Sequence, residues 1–278
     1  MNFVWPALVL LVTVCAAQSE SKSTMYNMYD VMIAFGDSNT QLGHNPKNNG
    51  YVARLAHVYQ RQMDVLNRGF SGFNASSGRS IATSVLPKTA KQSARSLWPS
   101  RDLFPGTTRT LQLLIVGFGT NDAGLPFTGK GNPLDKYTDD LTYIIKMVKD
   151  VGSEYYQKSA RVLVVTPPPI GDKLLQKISD EKHEQRGWYN NRTQTYAQAA
   201  IRVANNEKVP VVDVYSEIER LVASDQNGAY GGYDKYFIDG MHYTAKGYDV
   251  LYNLVQAKIN SEWPELVPTD IFTPQPPK

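Results

Sequence analysis

Short runs of aliphatic and β-branched residues alternate along the chain with longer stretches in which apolar residues return every three or four positions. The short runs fall at residues 31–35 (VMIAF), 63–67 (MDVLN), 112–117 (QLLIVG), 161–166 (RVLVVT) and 209–214 (VPVVDV). Their length predicts buried strands. The longer stretches cover residues 51–62, 134–151, 189–206 and 245–263. In the second of these, Leu134, Tyr137, Leu141, Ile144, Ile145 and Val148 share one helical face. Strands that alternate with helices predict βαβ units and a parallel sheet covered on both faces, here as one doubly wound α/β domain. Residues 74–110 fit no element well and predict a short helix and a long loop. The proline-rich residues 267–278 (VPTDIFTPQPPK) predict an extended tail.

The N-terminus departs from this pattern. Residues 3–17 (FVWPALVLLVTVCAA) are apolar and uncharged, and fall short of the roughly 20 residues a spanning helix needs. Ala16 and Ala17 suit a signal-peptidase site before Gln18. The expectation is a signal peptide over 1–17, a linker over 18–28 and a secreted, extracellular protein without stable membrane insertion once the signal is removed. The alternative is a retained anchor. Cleavage would carry off Cys15, the single cysteine. Two sequons, Asn74-Ala75-Ser76 and Asn191-Arg192-Thr193, fit a secretory route, Asn191 being the better candidate because its surroundings are polar.

Composition narrows the function. With 42% hydrophobic and 20% charged residues the chain can build a packed core, which excludes wholesale disorder. The 29 basic and 26 acidic residues leave a net charge of +3, too balanced for an electrostatic nucleic-acid footprint. One cysteine excludes an intrachain disulfide and a CxxC pair, and the 4 histidines show no HExxH spacing. P-loop and GxGxxG motifs are also missing, so neither a metal nor an organic cofactor is expected, and the missing GxSxG elbow counts against the α/β-hydrolase fold.

In doubly wound sheets ligands bind beyond the carboxyl ends of the strands. Phe35-Gly36-Asp37-Ser38-Asn39-Thr40 follows the first predicted strand. A serine on that turn could present its hydroxyl above the sheet, or Asp37 and Ser38 could simply cap the next helix. A serine nucleophile needs a base held by a third group. Asp239-Gly240-Met241-His242 puts an acid and an imidazole within one turn, although a DG turn with a solvated histidine is the commoner meaning of this piece in isolation. His44, His57 and His183 have no comparable acid beside them; His57 and His183 are expected on the surface. Candidate oxyanion donors lie after the second and third strands: Gly72 in Asn67-Arg68-Gly69-Phe70-Ser71-Gly72-Phe73, and Asn121 in Gly119-Thr120-Asn121-Asp122. Each could also be a tight turn with local hydrogen bonding.

In this order, the four blocks resemble the SGNH (GDSL) hydrolase superfamily over residues 29–266, with Ser38, Gly72, Asn121 and His242 at its namesake positions. VLNRGFSGFN, VTPPPI and DGMHYTAKGY look like its isoamyl acetate-hydrolysing esterase branch. The resemblance implies a single three-layer α/β/α sandwich, flavodoxin-like, with a mostly parallel five-stranded sheet. It also implies Ser38 as nucleophile, His242 as base oriented by Asp239, and an oxyanion hole of the Ser38 and Gly72 N–H groups and the Asn121 amide. The expected activity is hydrolysis of short-chain acyl esters, with a small-molecule or glycan ester as substrate. Alternatives are a carbohydrate acetylesterase, a lysophospholipase or thioesterase, and an idle binding protein on the same scaffold. Asn39 departs from the branch, which often carries an aliphatic residue there, and bears on the polarity of the acyl pocket. The charged residues 177–187 are expected as a solvated helix or a surface lid, and Pro167-Pro168-Pro169 as a fixed loop path.

Overall fold

The computed structural model describes residues 30–88, 110–225 and 227–268. The expected signal, the linker, Cys15, most of the tail and residues 89–109 lie outside them. Five parallel strands form one sheet in the order β2-β1-β3-β4-β5: β1 (Val31–Gly36), β2 (Asp64–Gly69), β3 (Leu111–Gly117), β4 (Arg161–Val165) and β5 (Val211–Val212). This is the flavodoxin-like order. The sheet is therefore parallel throughout, where a mostly parallel one is expected from sequence.

The period of two along each strand divides its side chains between two apolar layers. Ile33, Phe35, Leu114, Val116, Val162 and Val164 face α3 (Ala75–Val85), α4 (Leu134–Lys149) and α6 (Asn190–Asn206). Met32, Ala34, Leu113, Ile115, Leu163, Val165 and Val212 face α2 (Tyr51–Val58), α7 (Val214–Ser224) and α8 (Ala245–Glu262). A short α1 (Ser38–Leu42) follows β1, and α5 (Asp172–Lys182) follows β4. Each fully buried aliphatic side chain stabilises by about 1.5–3 kcal/mol, so the two-sided burial of the strands dominates the favourable side of folding. One irregularity adjusts the pattern. Val31 pairs with Leu111 but Met32 pairs with Leu113, so Gln112 is an extra residue, and Leu111 and Leu113 fall in opposite layers.

Three sequence expectations are corrected. The strand predicted over 209–214 contracts to Val211–Val212, because Pro210 has no N–H to pair and the Asp213 side chain accepts from Ser216 N at 3.0 Å, starting α7. The helix from Tyr51 stops at Val58, and Arg61 lies in the left-handed region at φ +61°. The helix from Leu134 stops at Lys149 rather than at residue 151. The charged segment from residue 177 agrees with the solvated-helix reading: residues 177–182 are the outer, largely exposed half of α5, whose first turns bury Leu174 and Leu175.

At the carboxyl ends of three neighbouring strands Gly36 pairs with both Gly69 and Gly117. A Cβ on Gly69 would lie 2.0 Å from Gln41 N, a backbone atom of α1. Gly69→Ala is therefore expected to lower the unfolding free energy by about 1–3 kcal/mol, measured by denaturant titration, because α1 must move to admit the methyl group.

Candidate active site

Backbone geometry places Ser38 first. β1 leaves the sheet at Gly36, Asp37 N donates to Gly117 O at 3.3 Å, and the Asp37 carboxylate caps α1 by accepting from Asn39 N at 2.9 Å. Ser38 is thus the first residue of α1, at the point where the chain crosses from β1 to β2 on one side and from β3 to β4 on the other. That is the switch point at which ligands collect in doubly wound sheets. Both sequence readings of this turn hold together: Asp37 caps the helix and Ser38 faces the crevice with 7% of its surface exposed.

From the other end of the chain comes a loop closed by an antiparallel bridge between Phe237 and Tyr243, with Ile238 N donating to His242 O at 2.8 Å. Gly240 turns it at φ +94°, where a Cβ would also strike Leu175. Asp239 Oδ1 accepts from Met241 N at 3.0 Å and His242 N at 2.8 Å, and Oδ2 lies 2.7 Å from His242 Nδ1. The other ring nitrogen, Nε2, lies 2.9 Å from Ser38 Oγ. With a carboxylate at Nδ1 the neutral ring carries its proton there and leaves Nε2 as an acceptor for the serine hydroxyl. Ser38, His242 and Asp239 are therefore one hydrogen-bonded chain, and His242 is not the solvated residue of an isolated DG turn.

The charges in this chain are mutually adjusted. Burial pushes the Asp239 carboxyl up, but the imidazole beside it and the N–H groups of His242 and Met241 outweigh that and hold it below the usual carboxylate range. Burial pulls His242 down, and the Asp239 hydrogen bond and charge, with a smaller contribution from Asp37, more than reverse this and raise it above an ordinary histidine. Asp37 itself is pushed up to about 6 by burial, against the pull of Asn39 N–H and the Thr120 side chain.

The two donor loops meet beside the serine turn. Phe70 N donates to Gly36 O at 2.9 Å and Ser71 N to Gln41 Oε1 at 2.7 Å, carrying the chain from β2 over α1. Gly72 then takes φ +78°, and a Cβ there would fall 3.0 Å from Lys130 Nζ. Asn121 Nδ2 donates to Phe73 O at 2.9 Å, which ties the loop after β3 to the loop after β2. An amide nitrogen has two hydrogens, so a second donor remains.

Sequence reasoning missed the residues that hold these loops. Asp122, wholly buried, accepts from Ala75 N at 2.9 Å and from Asn132 Nδ2 at 3.0 Å, and burial pushes its carboxyl up to about 7. Asn67 bridges from its Nδ2 to Thr40 O at 2.7 Å and from Gly69 N to its Oδ1 at 2.8 Å. The signal that could have found Asp122 is a run of three polar residues, Thr120-Asn121-Asp122, separated by two residues from the apolar end of β3. Pro167, Pro168 and Pro169 are buried, Pro167 lying against Gly119. His44, His57 and His183 are exposed, away from this cluster. Among the described residues no group of three or more His, Cys, Asp or Glu could hold a metal ion, and no helix is long and apolar enough to cross a membrane.

The model of the GDSL-like lipase/acylhydrolase family matches residues 34–250. The chain belongs to this family. It is 28% identical over 223 residues to the isoamyl acetate-hydrolyzing esterase 1 homolog of Mus musculus, covering 80% of this chain and 78% of that one. It is also 28% identical over 243 residues to the isoamyl acetate-hydrolyzing esterase of Schizosaccharomyces pombe, covering 87% and 80%. Among solved structures, an acetylxylan esterase from Geobacillus stearothermophilus superposes with a TM-score of 0.58 at 16% identity over 86% of this chain and 98% of that one. A lipase/acylhydrolase from Enterococcus faecalis gives 0.55 at 20% identity, over 87% and 99%. The structural likenesses establish the three-layer sandwich; family and relatives make this GDSL-family chain a carboxylic ester hydrolase.

The imidazole in this GDSL-family site yields a direct test. By NMR, His242 is expected to titrate above the ordinary value near ~6.5, and Asp239→Asn to move that midpoint down, because the charge favouring the imidazolium is gone. An unmoved midpoint in the variant would assign the upward shift elsewhere.

Proposed function

We propose that this esterase is a secreted enzyme that removes short acyl groups, acetyl foremost, through an acyl-enzyme on Ser38. The observation that carries the mechanism is the continuous chain from Ser38 Oγ to His242 Nε2 at 2.9 Å and from His242 Nδ1 to Asp239 Oδ2 at 2.7 Å. Ser38 Oγ attacks the ester carbonyl carbon as His242 Nε2 takes its proton. The oxyanion is held by the Ser38 and Gly72 N–H groups and the second hydrogen of the Asn121 amide, each such donor being worth about 10²–10³ in rate. On collapse His242 returns the proton to the departing alkoxide, which leaves as alcohol. Water then attacks the acyl-serine with His242 as base, freeing the acid and restoring the Ser38 hydroxyl. Asp239 stays ionised throughout, as its lowered pKa favours, and keeps the imidazole in the required tautomer. The cycle balances without a metal or an organic cofactor.

The acetyl preference is supported by the two relatives whose names describe isoamyl acetate hydrolysis. Secretion is supported by the apolar residues 3–17 and by Asn191, which stands exposed in the first turn of α6. Asn74, by contrast, spends both ends of its amide on structure: Oδ1 accepts from Ser77 N at 2.9 Å and Nδ2 donates to Lys130 O at 2.7 Å.

The first experiment measures initial rates on p-nitrophenyl esters of increasing acyl length. The expected maximum lies at acetate or butyrate, with turnover falling by about 10⁴-fold or more in Ser38→Ala while the melting temperature barely changes. Turnover retained in that variant removes Ser38 as nucleophile, and a maximum at long chains replaces the short-acyl reading with the lipid one. The rate should fall on acidification with a midpoint above ~6.5, since His242 must be neutral to accept the serine proton and its pKa is raised. In a secreting host, the mobility shift on glycosidase treatment should vanish in Asn191→Gln and persist in Asn74→Gln. The reverse pattern would sink the assignment of the occupied sequon.

A further inference from the structure

We infer that Asn39 is a positioning residue whose side-chain amide clamps the Asp239–His242 loop to the nucleophile turn and so sets the approach of His242 Nε2 to Ser38 Oγ. The inference rests on the reading of Ser38 and His242 just given. Asn39 follows Ser38 directly and is 6% exposed. Its N–H donates to Asp37 Oδ1 at 2.9 Å, its C=O accepts from the Tyr248 hydroxyl of α8 at 2.9 Å, and its Nδ2 donates to Met241 O at 3.2 Å.

Met241 lies between the acid and the base of the loop, directly before His242. Its N–H is held by Asp239 Oδ1, the same oxygen that holds His242 N–H. Asp239, Met241 and His242 are therefore braced internally and move as a unit. Other bonds of this loop run away from the serine: Gly171 N donates to Gly240 O at 2.8 Å and Thr244 N to Tyr236 O at 2.9 Å. Among the described residues, the turn of Asp37, Ser38 and Asn39 meets this part of the chain through the Ser38–His242 pair and the two bonds made by Asn39. When Ser38 Oγ is acylated it no longer donates to His242, and the Asn39 bonds are then the hydrogen bonds that still join the nucleophile turn to this part of the chain for deacylation.

Energetics favour a purpose other than packing. Met241 O can only accept, so the amide must present Nδ2 to it, and that orientation leaves Asn39 Oδ1 buried without a donor. A buried unpaired acceptor is destabilising, a cost that an aliphatic residue of similar volume would not incur. The same geometry answers the question of acyl-pocket polarity raised by this position: the amide is turned to the His242 loop.

Asn39→Leu keeps the volume and removes the donor. Both chemical steps need His242 in register, so kcat on p-nitrophenyl acetate and the rate of Ser38 labelling by a fluorophosphonate should fall together by about 10–100-fold. KM should stay within about twofold, since acylation and deacylation slow alike. The acyl-length preference and the acid-limb midpoint should not move, because the Asp239–His242 pair is untouched. Asn39→Ala, which removes the same donor without added bulk, should reproduce the loss if Leu packs poorly. Undiminished rates in both variants overturn the inference. So does a rate loss that tracks a fall in melting temperature, a changed acyl-length preference, or a displaced acid limb. If the wild-type protein itself resists the fluorophosphonate, the nucleophile assignment fails and this inference falls with it; normal wild-type labelling with unaffected variants defeats the Asn39 role alone.

Discussion

The close seating of α1 on the end of the sheet is the constraint from which the site follows. Gly36, Gly69 and Gly117 stand at one level across β2, β1 and β3. A Cβ on Gly36 would lie 2.3 Å from Thr40 Oγ1 and 2.4 Å from Gly117 O, and one on Gly69 would lie 2.0 Å from Gln41 N. Only strand ends without side chains let a helix begin this close to the sheet. That closeness puts Ser38 over the switch point, lets Phe70 N reach Gly36 O, and brings the Gly72 loop alongside. Asn67 then fastens the arrangement from below, through Thr40 O and Gly69 N.

On that seat each reactive group is held by a polar neighbour rather than by apolar packing. Asp37 caps the serine helix, Asp239 braces its own loop before it touches the imidazole, and Asp122 ties the start of α3 to the Asn121 loop. Carboxylates withdrawn from water are costly unless hydrogen-bonded, and backbone N–H groups serve the buried Asp37 and Asp122 and the half-buried Asp239 alike. Such bonds are directional, so the loops are fixed in orientation as well as in position, which a serine mechanism requires and an apolar contact would not supply.

Legibility in the sequence tracks whether a residue's signal is local. Strands buried on both faces were readable as continuous apolar runs; β5 was overread because Val209 and Val214 flank it while Pro210 and Asp213 cut it to two residues. Helix α7 is hard to read although Val214, Ile218 and Val222 recur at four-residue spacing, since Val214 also extends the apolar run of the preceding strand. In α3 the sequence ASSGRSIATSV is too rich in small polar residues to display a helical stripe, and a short helix in that region was all that could be expected. Ser38, Gly72, Asn121, Asp239 and His242 stood out because acid, base and turn residues lie in short blocks of known order. The role of Asn39 is illegible because its partner is a carbonyl 202 positions away, and for Asp122 the polar run marks the residue but not its partner, an amide 47 positions away.

The electrostatics join these levels. His242 is raised chiefly by Asp239, against its own burial, and Asp37 adds to the effect from the serine side. Asp37 is pushed up to about 6 by burial, and the charge of His242 in turn pulls it down. As pH falls through that region, protonation of Asp37 removes part of the field that favours the imidazolium. The two groups therefore titrate as a coupled pair, and the apparent midpoint belongs to both. Asp239, held well ionised, sets which nitrogen carries the proton. The cap that allows α1 to begin at Ser38 thus also tunes the base that Ser38 needs, so the seating of the helix and the protonation state of the site are one structural problem.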